Sequence, residues 1–225
     1  MTEVTPSLVL RAYSLGIFPM AESKDASTVY WVDPEQRGIL PIERFHIPRR
    51  LKRTVRQNRF NVTCDTDFDS VINACAESDV GRQDTWINDE VRRLFKALNH
   101  MGLVHTVECR REGRLVGGLY GLAIGGAFFG ESMFSRERDA SKVALVHLAA
   151  RLVYGGFTLL DAQFITDHLT QFGAIEVPRD DYRDMLDAAI SEPAVFPPVL
   201  PGEVLTDFLD RSTSGNRDAA ATWNA

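Results

Sequence analysis

The sequence predicts an α/β protein in which a small N-terminal α/β domain precedes a larger domain built on a mixed sheet. Three observations support this fold class. The chain has 225 residues, of which 44% are hydrophobic and 25% charged, a composition typical of folded globular proteins. Apolar residues recur with helical spacing in some segments and alternate as in strands in others. The stretch 115–130 has no charged residue and six glycines, and it is too short to span a membrane, which indicates buried strands.

The predicted N-terminal domain covers residues 1–60. Thr5 and Pro6 begin a helix, because a hydroxyl residue followed by proline is typical of a helix start, and the segment GIFPM ends it. Short strands are expected within residues 29–40, around an Asp-Pro turn. Pro48 then opens a second helix, which is basic.

The predicted second domain, residues 61–192, starts with the strand NVTCD and the amphipathic helix FDSVINACA. Asn88 is expected to cap the next helix. Strands then follow at 103–112, 115–124 and 127–134, and the two glycines between the last two form a hairpin turn. These three strands form an antiparallel meander.

The remaining elements alternate between helix and strand. Asp139 is expected to cap a long helix that runs to about Tyr154, and FTLLDAQF follows as a buried strand. Thr166–Phe172 predicts a short helix, AIEVP a strand and Asp180–Ile190 a helix. Residues 193–225 form a C-terminal extension, first proline-rich and then polar, which we expect to be disordered at its end.

The order of these elements indicates which type of sheet the second domain contains. A meander followed by a helix and further strands matches an N-acetyltransferase-like (GNAT) fold better than a Rossmann fold. In the GNAT fold, the acyl donor binds between two neighbouring strands that diverge from each other. The usual loop for coenzyme A, Q/R-x-x-G-x-G/A, is absent before the long helix, where the chain reads FSRERDASKVAL. The sequence therefore predicts an acyl transferase fold whose donor is not a coenzyme A ester.

Positive charge is concentrated in one segment. The net charge is −6, yet residues 44–60 hold seven basic residues and no acidic one, so the remaining 18 basic and 31 acidic residues give −13. Helical spacing places Arg49, Lys52, Arg53 and Arg56 on one face. Such a face is often only solvated, but the missing acids favour contact with backbone phosphates of a nucleic acid. The basic residues assigned to this surface are Arg49, Arg50, Lys52, Arg53 and Arg56.

Cysteine and histidine usage argues against disulfide and metal chemistry. Cys64, Cys75 and Cys109 are far apart in sequence and include no CxxC motif, and the five histidines include no HxxxH pair. We therefore expect no metal site. The N-terminus has no basic and then apolar signal segment, so a reducing cytoplasm is the expected location.

Two polar groups are candidates for catalysis. The segment GESMF around Ser132 resembles the GxSxG elbow of serine hydrolases but lacks its last glycine, and a local hydrogen bond explains this serine as well. Asp161 and Gln163 are the sharper candidates, because residues two apart on a strand share one face. They are suited to holding an amine and removing its proton. Capping of the following helix by Asp161 is an equally good interpretation of the spacing.

At this point several motifs resemble one family. The runs GGLYGLAIGGAFFGESMFSRERDASKVALVHL and LLDAQFITDHLTQFGAIEVPR, together with AYSLGIFPM, RGILP and TWIN, are similar to leucyl/phenylalanyl-tRNA–protein transferases. The resemblance extends over nearly all of residues 12–182. It implies transfer of Leu or Phe, and also Met, from tRNA to an N-terminal Arg or Lys, which marks the acceptor protein for degradation by the N-end rule. It also implies a GNAT-like catalytic domain that needs no cofactor.

The resemblance assigns roles to individual residues. It implies that Asp161 and Gln163 are the catalytic pair, that Glu131 lies near the acceptor amine and that Trp86 stacks on the terminal adenosine. The donor pocket is implied at the apolar positions. The substrate-binding residues are then Trp86, Leu119, Phe128, Met133, Leu145, Leu152 and Leu160. Asp161 is either the base, oriented through Gln163, or a positioning group while a hydroxyl of the tRNA relays the proton.

Two departures and two rival functions accompany the resemblance. Some family members have Trp where this chain has Met20, and the leader before the first helix is short here, which affects the expected affinity for tRNA.

One rival function is a leucyl transferase for acidic N-termini. The other is a non-catalytic tRNA-binding module, which would not need GESMF and DAQ. We expect a monomer that does not associate with membranes.

Overall fold

A computed structural model describes residues 4–77 and 85–212, and within them the chain is a mixed α/β fold, as predicted. The helices are α1 (Pro6–Tyr13), α2 (Arg49–Arg56), α3 (Phe68–Ala76), α4 (Asp89–His100), α5 (Ala140–Tyr154), α6 (Asp167–Thr170), α7 (Arg179–Ser191) and α8 (Gly202–Arg211). The strands are β1 (Phe18–Met20), β2 (Tyr30–Val32), β3 (Gln36–Ile39), β4 (Asn61–Cys64), β5 (Val104–Arg111), β6 (Arg114–Ile124), β7 (Ala127–Ser135), β8 (Leu159–Gln163) and β9 (Ile175–Pro178). The expected disorder at the chain end concerns residues 213–225, which lie outside the described residues.

Seven strands form one sheet in the order β4-β5-β6-β7-β8-β3-β9. The predicted meander of β5, β6 and β7 is confirmed, and β7 and β8 are parallel. β3 comes from near the N-terminus, yet it lies between β8 and β9 and is antiparallel to both. This arrangement brings the side chain of Arg37 next to the catalytic candidates on β8. β1 and β2 pair separately as a two-stranded sheet.

The core consists of two clusters of buried side chains, one for each face of the sheet. Because successive residues of a strand point to opposite faces, Leu119 and Leu160 join one cluster while Tyr120 and Leu159 join the other. Side chains of α2, α5 and α8 complete the first cluster. Side chains of α1, α3, α4 and α7 complete the second. The sheet is therefore covered by helices on both faces.

Local details confirm some expectations and correct others. Asn88 caps α4 as predicted, and its side chain accepts a hydrogen bond from the Val91 amide at 2.9 Å. Asp139 does not cap α5 with its side chain, because its backbone is left-handed at φ 68°. α1 ends at Tyr13, before the segment GIFPM, and that segment contains β1. α8 was not predicted, since its sequence follows a proline-rich stretch, but its Phe208 and Leu209 are buried in the core.

Candidate active site

A cavity of about 1220 Å³ opens where β7 and β8 separate. The two strands are paired up to Phe129 and Asp161, and β7 continues to Ser135. The residues after this point line the cavity on both sides, so the separation of two parallel strands creates the space. Predicted site residues that line the cavity are Trp86, Leu119, Glu131, Met133, Leu145, Leu160, Asp161 and Gln163.

The carboxylate of Asp161 is fully buried and surrounded by donors. Arg37 Nε lies 2.9 Å from Oδ1, and Arg37 Nη2 lies 2.5 Å from Oδ2. Tyr182 donates its hydroxyl to Oδ2 at 2.7 Å, and the backbone amide of Gln163 donates to Oδ1 at 2.8 Å. A buried charge of this kind is stable only when it is paired and hydrogen-bonded, and both oxygens are. Asp161 does not cap the following helix, whose N-cap residue is Thr166.

Arg37 is itself held on every side. Its Nη1 donates to the carbonyl of Gly16 at 2.8 Å, and its guanidinium lies 4.5 Å from the ring centre of Phe18 and 4.6 Å from that of Tyr182. Cation–π contacts of this kind are strongest where water is excluded. Only 1% of Arg37 is exposed. Sequence reasoning did not assign Arg37 or Tyr182 to the site, although Arg37 opens the motif RGILP and Phe18 lies in GIFPM.

Gln163 combines an unusual backbone conformation with a side-chain contact to Glu131. It has φ 58°, a left-handed conformation that residues other than glycine rarely adopt. The hydrogen bond from its amide to Asp161 supports this conformation. Its side-chain Nε2 lies 3.4 Å from Glu131 Oε1, so the ion pair of Asp161 and Arg37 indirectly fixes the group that contacts Glu131.

Glu131 has one engaged oxygen and one that is not engaged. Tyr13 of α1 donates its hydroxyl to Oε1 at 2.8 Å. Within the described part of the chain, no donor reaches Oε2, while Glu131 lines the cavity and is 9% exposed. Burial raises the pKa of Glu131 from 4.5 to about 8; Asp161 adds to the increase, whereas the Tyr13 hydrogen bond and Arg37 oppose it. The side chain is therefore a carboxyl group that titrates near neutral pH. Tyr13 was not assigned to the site from the sequence.

The apolar wall of the cavity contains four of the six predicted pocket positions. Leu119 and Met133 come from β6 and β7, Leu145 from α5 and Leu160 from β8. The other two predicted residues, Phe128 and Leu152, are fully buried in the same hydrophobic cluster but do not line the cavity. They support the wall from behind.

The aromatic residue Trp86 lies at the cavity, next to a buried loop. Trp86 is partly buried and lines the cavity, as does Met20 at the end of β1. The loop before α4 is fixed by Asn88, whose side-chain amide donates to the carbonyl of Ala26 at 2.7 Å. Thr85 also stabilises it by accepting a hydrogen bond from the Ile87 amide at 3.2 Å. The motif TWIN therefore positions Trp86.

The serine and metal alternatives find no support in the geometry of the described residues. Ser132 lies within β7 and lines the cavity, but in residues 4–77 and 85–212 no histidine is hydrogen-bonded to it. Over the same ranges, no group of three His, Cys, Asp or Glu side chains is placed to hold a metal ion. Nor does any helix there combine the length and apolar character required to cross a bilayer.

The five predicted basic residues lie on α2, as expected, but they differ in exposure. Arg49, Arg50 and Arg53 are exposed. Lys52 is buried, and its Nζ lies 3.7 Å from Asp210 of α8. The Nη2 of Arg56 lies 2.5 Å from the same carboxylate. The basic face is thus partly neutralised by a residue that sequence spacing did not connect with it.

Comparison with known proteins agrees with these motifs. The model of the leucyl/phenylalanyl-tRNA protein transferase family matches residues 39–187, and that of its N-terminal domain matches residues 2–35. A leucyl/phenylalanyl-tRNA–protein transferase of Paramagnetospirillum magneticum is 59% identical over 87% of this chain and 94% of that protein.

Two further relatives carry the same name. The one from Nitrobacter winogradskyi is 56% identical over 94% of this chain and 97% of its own length. The one from Afipia carboxidovorans is 54% identical over 95% and 91%. The chain therefore belongs to the leucyl/phenylalanyl-tRNA–protein transferase family of enzymes.

Proposed function

We propose that the protein moves Leu, Phe or Met from aminoacyl-tRNA to the N-terminal Arg or Lys of acceptor proteins, which marks them for degradation by the N-end rule. The observation that carries the proposal is the juxtaposition of a partly engaged, buried Glu131 and an apolar wall in one cavity. The first group suits a cationic amine, and the second suits an apolar donor side chain. Such a reaction takes place in the cytoplasm, and a monomer suffices for it.

The donor is expected to enter along the apolar wall. The side chain of the aminoacyl group contacts Leu119, Met133, Leu145 and Leu160, all of which line the cavity. The terminal adenosine stacks on Trp86, since bases stack on aromatic side chains regardless of sequence. Met20, which also lines the cavity, offers a weaker second contact than an aromatic residue. Phosphates of the tRNA contact the cations of α2.

The acceptor amine is expected to meet Glu131. An α-amine has an ordinary pKa of about 7.7–8.0, so much of it is protonated at neutral pH. The pKa of Glu131 is about 8, which makes transfer of a proton between the two groups nearly balanced. Oε2 receives the proton, while Oε1 stays hydrogen-bonded to Tyr13. The neutral amine is then free to attack.

The chemical step converts an ester into an amide. The amine nitrogen forms a bond to the carbonyl carbon, the bond from that carbon to the ribose oxygen breaks, and the ribose oxygen leaves with a proton that the nitrogen loses. The neighbouring ribose hydroxyl is suited to relay this second proton. Asp161 then serves to position Gln163 rather than as the base, because its two oxygens already accept hydrogen bonds from Arg37, Tyr182 and Gln163.

The choice of a basic N-terminal residue follows from charge. In its ionised form, which the proton transfer requires, Glu131 favours an acceptor with two positive charges, whereas an acidic first residue would set its own carboxylate against it. Arg is expected to work at least as well as Lys where the contact is bidentate, because guanidinium presents a planar fork. A leucyl transferase for acidic N-termini would have the opposite preference.

A peptide series tests the proposal. Peptides identical except for a first residue of Arg, Lys, Ala, Asp or Glu are incubated with radiolabelled Leu-tRNA and the protein. Transfer to the Arg and Lys peptides, with a large loss in Glu131→Gln, is the expected result. Efficient transfer to the Asp or Glu peptide would support the rival transferase. Binding of tRNA without transfer to any peptide would support a non-catalytic tRNA-binding module.

A further inference from the structure

Two nitrogen-bearing side chains lie close together where the first turn of α5 meets α6. They are Lys142 of α5 and His168 of α6. Burial and the nearby charge of Lys142 lower the pKa of His168. His168 lines the cavity, as does Ser141, the residue before Lys142. The pair therefore lies at the α5 side of the active-site cavity.

Lys142 has donors to spare for a ligand. Its Nζ donates to Gln171 Oε1 at 3.1 Å, and Gln171 Nε2 donates in turn to the carbonyl of His168 at 2.7 Å. An ammonium group has three N–H donors, so this contact leaves two of them for a ligand. The neutral amide of Gln171 thus holds the ammonium group in place without neutralising its charge.

The acidic side chains nearby in sequence do not neutralise this ammonium group. Glu137 Oε2 lies 3.0 Å from Arg111 Nη1, and Asp139 Oδ2 lies 3.9 Å from Arg138 Nε. Asp167 of α6 is exposed to solvent. Within residues 4–77 and 85–212, neither these carboxylates nor any other forms an ion pair with the ammonium group. Its positive charge is therefore available to an anion.

A neighbouring hydroxyl also has no partner. Ser141 is 7% exposed and lines the cavity. Its backbone amide donates to Ser135 Oγ at 3.3 Å, but its hydroxyl makes no hydrogen bond to any part of the chain that the structure describes. Because buried polar groups are normally hydrogen-bonded, a ligand is the expected partner of this hydroxyl. The positive end of the α5 dipole, at the same turn, also favours an anion.

The site is connected with the start of the basic helix α2. Phe172, which follows α6, accepts a hydrogen bond from the amide of His46 at 3.0 Å, and its ring stacks on that of Phe45 at 5.3 Å. Phe45 and His46 come shortly before α2 in sequence. The ring of His168 lies 5.7 Å from that of Phe172. A chain of contacts thus leads from the start of α2 through Phe172 and His168 to the cavity.

We propose that Lys142 and His168 bind a backbone phosphate in the single-stranded 3′ end of the tRNA. Lys142 Nζ and a ring N–H of His168 donate to the phosphate oxygens, and the hydroxyl of Ser141 adds a third donor. No contact between protein side chains has to break, since Lys142 keeps its hydrogen bond to Gln171. The inference rests on the proposed function, because the phosphate belongs to the aminoacyl-tRNA. It places the tRNA end along the path from α2 to the cavity, through a contact that carries no sequence information.

Two synthetic donors test the proposal. Leucyl-adenosine has no phosphate, whereas the leucyl ester of the trinucleotide CCA has two. The value of kcat/KM for transfer to an Arg peptide is measured for wild type and Lys142→Gln with each donor. We expect Lys142→Gln to lower kcat/KM for leucyl-CCA about tenfold, mainly through KM of the donor, because one charge-assisted hydrogen bond is lost. With leucyl-adenosine, the change should be less than about twofold.

Three further variants serve as controls. Lys96→Gln removes the same charge from α4, where Lys96 is exposed, pairs with Asp69 at 2.8 Å and does not line the cavity, so both donors should be used as by wild type. Lys142→Arg keeps the charge and should recover most of the loss with leucyl-CCA. His168→Gln should act in the same direction as Lys142→Gln, and it carries the comparison if Lys142→Gln fails to fold.

The outcomes separate the inference from the proposed function. Equal losses with the two donors would show that Lys142 maintains the shape of the cavity, and they would overturn the inference alone. A raised KM for the Arg peptide with both donors would assign Lys142 to the acceptor and would overturn the inference as well, as would the absence of any loss. A wild-type protein that transfers no leucine from either donor or from Leu-tRNA would overturn the proposed function, and the inference with it.

Discussion

Replacing Glu131 by Gln should make the protein more stable than wild type at alkaline pH. The same substitution should abolish transfer of the aminoacyl group. Glutamine keeps the size of the side chain and the oxygen that accepts from Tyr13, but it carries no charge. The pKa of Glu131 is raised from 4.5 to about 8, so the folded protein keeps a proton that the unfolded chain loses. The stability contributed by the protonated group is complete below pH 4.5 and is lost as the pH rises to about 8.

The magnitude follows from these two values. Each pH unit between 4.5 and about 8 lowers the free energy of unfolding by up to about 1.4 kcal/mol relative to a neutral side chain, or about 5 kcal/mol in all as an upper bound. Water reaching the partly open cavity lowers this, so we expect about 2–4 kcal/mol. The free energies of unfolding of wild type and Glu131→Gln should therefore be similar near pH 4.5 and diverge toward pH 8.

Urea denaturation from pH 4.5 to 9 measures this difference. Glu176→Gln, at an exposed position on β9, is the matched control for a change of one charge. The free energy of unfolding of Glu176→Gln should change with pH in the same way as that of wild type. If the free energy of unfolding of Glu131→Gln also follows wild type over the whole pH range, Glu131 is an ordinary ionised carboxylate, and the proposed proton transfer loses its basis.

Three further predictions concern the groups around the cavity. Asp161→Asn leaves Arg37 as a buried charge without its partner, so we expect transfer to fall and the free energy of unfolding to drop by about 3–5 kcal/mol, measured by urea denaturation; unchanged stability would contradict the ion pair. Tyr13→Phe removes a hydrogen bond that lowers the pKa of Glu131, so the rise of kcat with pH should shift to higher pH. An unshifted pH profile of kcat would show that Glu131 does not take part in the proton transfer. Transfer from Leu-tRNA should be at least tenfold faster than transfer from Val-tRNA, since one misplaced methyl group costs about 1–3 kcal/mol. Met133→Ala should reduce this preference. Equal rates of transfer from the two tRNAs by wild type would contradict the assignment of the donor pocket.

Sequence patterns predicted most elements of the fold because their signals are local. The cap at Asn88, the meander and the long helix α5 depend on residues within a few positions of each other. α8 was missed because Phe208 and Leu209 are buried against distant parts of the chain, and two apolar residues in a short polar segment give little periodicity. The position of β3 in the large sheet likewise depends on pairing across more than 120 residues.

The candidate site shows the same limit. Asp161 and Gln163 were found from a two-residue spacing, but the partner of Asp161 is Arg37, which is 124 positions away in sequence. Tyr13 and Glu131 are 118 positions apart. No spacing rule connects such pairs, although both Tyr13 and Arg37 lie in motifs that the family resemblance had marked. Lys52 shows the converse, because helical spacing predicted the face of α2 on which it lies but neither its burial nor its ion pair with Asp210.

Transfer of leucine from tRNA to a peptide tests the central claim most directly. The protein is incubated with radiolabelled Leu-tRNA and a peptide that begins with Arg, with and without prior ribonuclease treatment of the tRNA, and free leucine serves as the control donor. The account predicts that the label becomes attached to the peptide α-amine, that ribonuclease lowers the yield and that free leucine gives none. Label that stays with the tRNA, or that enters the peptide equally well from free leucine, would contradict it.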